Sequence, residues 1–207
     1  MVAKAVEIAL LNGAIEFAQL QRSTDAGMID MLDRAQVSDP EAAARLRVYV
    51  DALRSRKIPK RAAVYPVYAN REAQEDLITR FFGVGTAEAR REAEQQLGAE
   101  LKRATGEEVP VLLYCPAAKM QLKQARMLVR WPGESSLAPL NDFAEQVPRL
   151  ADLEQSYQRM WKFYVLALTK DERVLAKLGE IAAEFFPGTN NVLTPGRPET
   201  GSLLLGN

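Results

Sequence analysis

The pattern of the chain changes at Val109-Pro-Val-Leu-Leu-Tyr-Cys115, a short apolar run that Pro116 ends. A run of this length, rich in branched and aromatic residues and bounded by proline, is typical of a buried β-strand. Ala63-Val-Tyr-Pro-Val-Tyr68 is also rich in strand formers, although Pro66 restricts it to a sheet edge. A third such run ends at Trp131. We therefore predict a small antiparallel sheet of two or three strands, at about 62–68, 109–115 and 125–131.

Most of the remaining sequence has helical periodicity. Val6, Leu10 and Phe17 share one face of a helix predicted within residues 1–21. A strong helix is predicted from Leu150, because five large apolar residues recur every three or four positions: Leu153, Tyr157, Met160, Tyr164 and Leu168. The predicted fold class is α+β, predominantly α-helical, with one module over 1–186. Residues 187–207 are rich in Pro, Gly and Thr, which predicts a flexible tail.

Helix boundaries are clearest at three places. Ser38 and Glu41 have the spacing of a capping box, with Pro40 in the first turn of the helix that follows. Thr86 is placed to cap a helix that runs to about Ala104 and stops at Gly106. Asp171 starts the last predicted helix, which Pro187-Gly188 ends.

The composition restricts the chemistry that the chain can perform alone. It has 207 residues, of which 47% are hydrophobic and 26% are charged, so it can bury a core. It contains no histidine. This excludes histidine metal centres, Ser-His-Asp and Cys-His nucleophile systems, and general acid–base catalysis by histidine. No catalytic residue and no metal ligand is assigned, and no cofactor is expected in this chain.

Cellular context is indicated by the single cysteine and by the charge balance. One cysteine, Cys115, permits no intrachain disulfide, and its apolar surroundings in sequence favour a buried structural thiol. We expect a cytoplasmic protein, since disulfides are the mark of oxidising compartments. The sequence has no apolar run long enough to span a membrane, so no membrane partner is expected. With 27 basic and 27 acidic residues, a generic nucleic-acid binder is disfavoured.

A basic connector is the strongest local signal for a ligand. Five of the eight residues at 54–61 are cationic, and Pro59 stiffens the segment. Arginine forks and lysine charges at a helix end suit a phosphate. The candidate phosphate- or nucleotide-binding residues are Arg54, Arg56, Lys57, Lys60 and Arg61. The alternative is that these cations interact only with the helix C-terminus and with solvent.

Weaker signals leave alternatives open. Asp30 and Asp33 lie one helical turn apart, but two acids without further ligands favour solvated charge over a metal site. A second basic stretch runs from Lys119 to Arg130. We favour a solvated sheet face over a phosphate site for these residues. Tyr157, Trp161 and Tyr164 are compatible with base stacking, yet their helical spacing favours a place in the core.

Three stretches, taken in order, resemble part of a known family. They are Thr24-Asp25 through Leu32, Val50-Asp-Ala-Leu-Arg-Ser-Arg-Lys-Ile-Pro-Lys-Arg61, and Leu137 to Ala167 with its Tyr157-Gln-Arg-Met-Trp-Lys-Phe-Tyr-Val165. Their order is similar to the C-terminal half of HD-domain phosphohydrolases of the deoxynucleoside triphosphate triphosphohydrolase type, which include the SAM-and-HD-domain proteins. In that family a basic turn of the type Arg-x-Leu-Pro-Lys-Arg joins a helix to a strand, and a late helix carries the Tyr-to-Tyr-Val motif.

The resemblance implies a substrate-shaping or regulatory portion of a nucleotide phosphohydrolase. The divalent metal of the family is held by a His-Asp motif that this chain lacks entirely, so we expect no hydrolysis by the chain alone. The implied partners are a catalytic HD half or further copies of the chain in a homo-oligomer, with a nucleotide as ligand. The alternative hypothesis is a stand-alone regulatory protein, without enzymatic activity, that binds a nucleotide or a partner.

Overall fold

The structure is a computed structural model that describes residues 1–115, 127–133, 135–143, 146–147, 149, 152–153, 156 and 162–193. The chain forms two compact units, Met1–Pro59 and Lys60–Asn207. The predicted module 1–186 is therefore divided between Pro59 and Lys60. Among the described residues, no helix has both the length and the hydropathy needed to cross a membrane.

The first unit is built from four α-helices. They are α1 (Val2–Leu11), α2 (Phe17–Gln21), α3 (Asp25–Arg34) and α4 (Pro40–Arg54). Helices α1 and α3 both pack on α4, and α1 also contacts α3. The buried apolar side chains come from all three and from the α1–α2 connection: Ala5, Ile8, Ala9, Ile15, Leu32, Ala42, Leu46, Tyr49 and Val50.

The helix predicted within residues 1–21 is two helices, because the chain turns at Asn12-Gly13. Gly13 has φ of 65°, a left-handed conformation that glycine adopts readily. The amide of Gly13 donates to Leu10 O at 3.0 Å, and the amide of Ala14 donates to Ala9 O at 2.9 Å. These two bonds form the Schellman motif that commonly ends helices. The Asn-Gly pair is the sequence signal for this break.

Helix α4 begins close to the predicted position but with a different cap. Asp39, not Ser38, is the N-cap residue, and its carboxylate accepts from the amides of Glu41 and Ala42 at 3.2 Å each. Pro40 occupies the first turn, as predicted. The Asp39 carboxylate satisfies two of the amide donors that the first turn of any helix leaves without a partner.

The second unit combines helices with short strands. Its described α-helices are α5 (Arg71–Phe82), α6 (Ala87–Thr105) and α7 (Glu172–Phe185). Its described strands are β1 (Lys60–Pro66), β2 (Val111–Tyr114), β3 (Leu128–Val129), β4 (Ala138–Pro139) and β5 (Lys162–Ala167). Two 3-10 turns, Val67–Ala69 and Leu140–Phe143, complete the described elements. The α+β fold class is confirmed.

The main sheet is antiparallel and has the order β1-β5-β2. Its three strands confirm the predicted strand count and the predicted edge position of the first strand. The third strand, however, is β5 and not the predicted segment 125–131. Within that segment only Leu128–Val129 is a described strand, and it pairs with β4 in a separate two-stranded ladder.

The predicted helix from Leu150 does not continue to Leu168, because residues 162–167 form β5. Most of residues 150–161 lie outside the described part of the chain. In β5 the side chains of Phe163, Val165 and Ala167 are fully buried, and those between them are half-buried. This period of two is that of a strand. Tyr164 and Leu168 therefore match the three-or-four-residue spacing of the apolar residues in the predicted helix only by coincidence.

The core of this unit lies between the sheet and its helices. Phe163 of β5 faces the helices, with its ring centroid 5.3 Å from that of Phe186 and 6.2 Å from that of Phe81. Tyr65 of β1 joins this aromatic cluster at 6.0 Å from Phe163. Burial raises the pKa of the Tyr65 hydroxyl to about 12, while the side chain of Thr189 acts in the opposite direction.

Residues after α7 close the outer edge of β1. The amide of Val192 donates to Val64 O at 3.0 Å, and the amide of Val64 donates to Asn191 Oδ1 at 2.8 Å. The amide of Asn190 donates to Asn70 Oδ1, and Asn70 Nδ2 donates back to Asn190 O at 3.0 Å. Residues 190–192 of the segment predicted as a flexible tail are thus docked, and they protect a sheet edge from pairing with another chain. Residues 194–207 lie outside the described part.

Candidate functional site

The five predicted phosphate-binding residues do not belong to one unit. Arg54, Arg56 and Lys57 lie at the end of the first unit, whereas Lys60 and Arg61 begin β1 of the second. Each group is therefore considered within its own unit.

Arg54 is held in an ion-pair network between α3 and α4. Its Nη2 atom lies 2.9 Å from Asp30 Oδ1 and 3.0 Å from Asp33 Oδ2. Asp33 also accepts from Arg47 at 3.0 Å. These partially exposed charges compensate one another, so Arg54 joins two helices and its charge is already balanced by carboxylates. The same network occupies the two carboxylates that were considered as a weak metal-site candidate.

Arg56 and Lys57 form an exposed turn that ends α4. The amide of Arg56 donates to Leu53 O at 3.2 Å, and the amide of Lys57 donates to Ala52 O at 2.8 Å. This is a second Schellman motif, with Arg56 at the position that glycine usually takes. Arg56 has φ of 55°, the one positive φ among the described residues other than glycine. A left-handed conformation of this kind costs an arginine roughly 1 kcal/mol.

Lys60 and Arg61 are directed to opposite faces of the sheet. Lys60 pairs with Ala167, a residue of the helix-covered core, and Arg61 pairs with Leu166 on the other face. The register shifts between Arg61 and Ala63, which marks a β-bulge at Ala62. Arg61 therefore lies on the face of the sheet that α5, α6 and α7 do not cover.

This second face, which we call the open face because α5, α6 and α7 do not cover it, carries a pair of stacked tyrosines, although Val64 and Leu112 on the same face are buried. Tyr114 of β2 is directly opposite Tyr164 of β5, and their ring centroids are 5.9 Å apart with an interplanar angle of 29°. Tyr114 is 53% exposed, and Tyr164 is half-buried. Lys162 precedes Tyr164 by two residues and shares its face. An aromatic surface is thus placed between two cationic residues, Lys162 and Arg61.

An exposed tyrosine supported by a second ring can stack on a flat aromatic ligand. Base–aromatic stacking of this kind is general to the four nucleobases because each has a π-face. Arg61 and Lys162 supply positive charge for a phosphate on the same face. Both residues, like Tyr164, already have a contact elsewhere in the chain, so a bound phosphate adds to that contact or replaces it.

Arg61 was named as a candidate from the sequence, but the two tyrosines on the same face of the sheet were not. Tyr164 was predicted to lie in the core of a helix, and Tyr114 was treated only as part of an apolar strand. Their pairing joins residues fifty positions apart in the chain and depends on the register of β2 with β5. The alternation Lys-Phe-Tyr-Val-Leu-Ala at 162–167 was the available signal.

No metal cluster was found in the part of the chain that the structure describes, where no group of three His, Cys, Asp or Glu side chains is close enough to hold an ion. Cys115 is buried, as predicted. Residues 119, 123 and 126 of the second basic stretch, together with Tyr157 and Trp161, lie outside the described residues.

No family model matches the sequence, and comparisons with curated proteins and with solved structures returned no match.

Proposed function

We propose that this chain is a cytoplasmic nucleotide-binding regulatory protein that does not hydrolyse its ligand by itself. The nucleobase stacks on Tyr114, which is supported from behind by Tyr164, and the phosphate lies near Arg61. The observation that carries the proposal is the tyrosine pair, of which Tyr114 is exposed, on the same sheet face as one of the predicted phosphate-binding residues.

The separation between these groups suits a nucleotide. Arg61 is opposite Leu166, which follows Tyr164 by two residues in β5. Two residues of a strand span about 7 Å, and neighbouring strands lie about 4.8 Å apart. Tyr114, which carries the base, is opposite Tyr164 on the far side of β5, so the backbones of Arg61 and Tyr114 are roughly 12 Å apart by these spacings. A ribose separates a base from its phosphate, and the long arginine side chain covers the remaining distance.

Stacking on Tyr114 is expected to contribute measurably to affinity. Removal of one base–aromatic stack weakens binding by about 1–3 kcal/mol. This corresponds to a roughly 5- to 150-fold rise in Kd, at 1.4 kcal/mol per tenfold. An arginine–phosphate contact contributes on a similar scale when it is bidentate.

Isothermal titration with deoxynucleoside triphosphates tests the proposal. Tyr114→Ala should raise Kd at least fivefold, whereas Tyr114→Phe, which keeps the aromatic face, should bind like the wild type. Arg61→Gln should weaken the binding of triphosphates more than the binding of nucleosides. Tyr68→Ala is the matched control, because Tyr68 is 69% exposed but lies in the 3-10 turn after β1. Absence of binding by the wild type, or equal Kd values for Tyr114→Ala and Tyr68→Ala, contradicts the proposal.

The relationship to HD-type phosphohydrolases is a separate proposal. It is supported by the order of the three sequence stretches, although residues 162–165 of the late motif form a strand where the resemblance implies a helix. It makes the chain a partner of a catalytic HD half. Triphosphate release from deoxynucleotides, assayed with Mg²⁺ or Mn²⁺, should be absent for the chain alone. Metal-dependent turnover that a chelator abolishes contradicts the expectation that this chain has no activity of its own.

A further inference from the structure

A groove of about 400 Å³ opens on the first unit. One wall is formed by Ala14 and Ile15 of the α1–α2 connection and by Gln19 of α2. The other is the face of α3 that presents Gly27, Met31 and Arg34. Its volume lies within the range that small-molecule sites occupy, about 300–1,000 Å³.

The lining residues that are buried or half-buried, which we call the floor, are apolar. Ile15 is buried and Met31 is half-buried. Ala14 and Ala35 leave space that larger side chains would fill. Methionine adapts to ligands of irregular shape because its side chain is unbranched and flexible. An apolar body of modest size is therefore the part of a ligand that this floor accommodates.

The charges at the rim are unequal. Asp30 lies at the rim, but its carboxylate accepts from Arg54 of α4 at 2.9 Å. Arg34 also lines the groove, and across the residues that the structure describes no carboxylate is within ion-pair distance of its guanidinium. The rim therefore offers an uncompensated positive charge beside a compensated negative one.

Gln19 adds hydrogen-bond donors to the same rim. Its Oε1 atom accepts from the amide of Glu16 at 2.7 Å in the capping box of α2. This bond fixes the side-chain amide, so the group that remains for a ligand is its NH₂. Donors from Gln19 and Arg34, with an apolar floor between them, are complementary to a ligand that has a negatively charged acceptor at one end.

We infer that this groove binds a small amphipathic carboxylate. The carboxylate pairs with Arg34, within reach of the Gln19 amide, and the hydrocarbon body lies on Ile15 and Met31. The body is about 10 Å long at most, since the seven steps from Gly27 to Arg34 rise by that length along an α-helix. This site belongs to the first unit and is independent of the nucleotide proposal for the second.

Titration with octanoate, followed by amide chemical shifts in a ¹H–¹⁵N spectrum, tests this inference. Octanoate should shift the amides of residues 14–19 and 27–35, and 1-octanol should bind at least tenfold more weakly. Arg34→Gln should also raise the octanoate Kd at least tenfold, equivalent to about 1.4 kcal/mol. The matched control is Arg22→Gln, because Arg22 is exposed in the same unit and does not line the groove.

A second variant tests the same site without changing α3, in case Arg34→Gln perturbs that helix. Ala14→Phe fills the groove and should abolish the octanoate shifts while the rest of the spectrum stays in place. Equal affinity for octanoate and 1-octanol overturns the assignment of a carboxylate. Unchanged octanoate binding in both Arg34→Gln and Ala14→Phe overturns the site itself.

Discussion

Gly179 in α7 should not tolerate alanine, although alanine is the better helix former. A Cβ atom at Gly179 would lie 2.9 Å from the carbonyl oxygen of Ala62 in β1. That oxygen belongs to the sheet backbone at the bulge and cannot rotate away as a side chain would. Helix α7 would have to move by several tenths of an ångström away from β1. Gly98 in α6 provides the contrast, because a Cβ there meets its nearest atoms at 3.9 and 4.0 Å, in ordinary contact.

The expected magnitudes follow from these distances. Gly98→Ala should stabilise the second unit by about 0.5–1 kcal/mol, since glycine is the poorer residue in a helix interior. Gly179→Ala gains the same helix propensity, but it incurs about 1–3 kcal/mol of overpacking. The two variants should therefore differ in their free energies of unfolding by about 1–3 kcal/mol, with the propensity contribution cancelled.

Urea unfolding followed by tryptophan fluorescence measures this difference. Both tryptophans of the chain, Trp131 and Trp161, follow Lys60, so the signal reports the second unit. The m-value should be the same for the two variants, which makes the midpoints directly comparable. Equal stabilisation by Gly179→Ala and Gly98→Ala would refute the close packing of α7 on β1.

Three further substitutions test other contacts. Because the pKa of Tyr65 is raised to about 12 in the folded state, the wild type should lose up to about 2–3 kcal/mol of stability between pH 10 and 12. Tyr65→Phe should lack that component in pH-dependent urea titrations, and an identical pH profile would contradict the burial of the hydroxyl. Arg56→Gly should stabilise the first unit by about 0.5–1 kcal/mol relative to Arg56→Ala in circular-dichroism unfolding, by relieving the left-handed conformation. Asn191→Ala should cost about 1–3 kcal/mol, because it leaves the Val64 amide without its acceptor. Asn190→Ala, which retains its backbone bonds, should be neutral; equal losses would show that the Asn191 side chain is not the edge cap.

Local signals predicted several helix boundaries, but they predicted the sheet only in part. Gly106 and Asp171 marked helix ends because capping depends on residues close in sequence. The central strand β5 was missed, since its burial pattern arises only when β1 and β2 flank it. Arg54 was a phosphate candidate because its ion pair with Asp30 has no local signal in the sequence. Asp30 is twenty-four residues away and comes close to Arg54 only when α3 packs on α4.

The sequence indicated a basic residue type for the candidate site, but it did not indicate how the site residues are arranged in space. The basic connector contains Arg61, which the proposed site uses, yet a unit boundary divides its five cations. A bulge then sends Arg61 to the open face and not to the core side. Neither the boundary nor the bulge has a signal in the connector itself. The tyrosine pair depends on strand register, which is fixed by the burial of the alternating residues on the opposite face.

Amide chemical-shift mapping with a deoxynucleoside triphosphate tests the nucleotide site most directly. Saturable shifts should be concentrated on Arg61, on 112–114 and on 162–166, the backbone beneath the open face. They should disappear in Tyr114→Ala and persist in Tyr68→Ala. Absence of saturable shifts, or shifts confined to residues elsewhere in the chain, would contradict a nucleotide site on this face of the sheet.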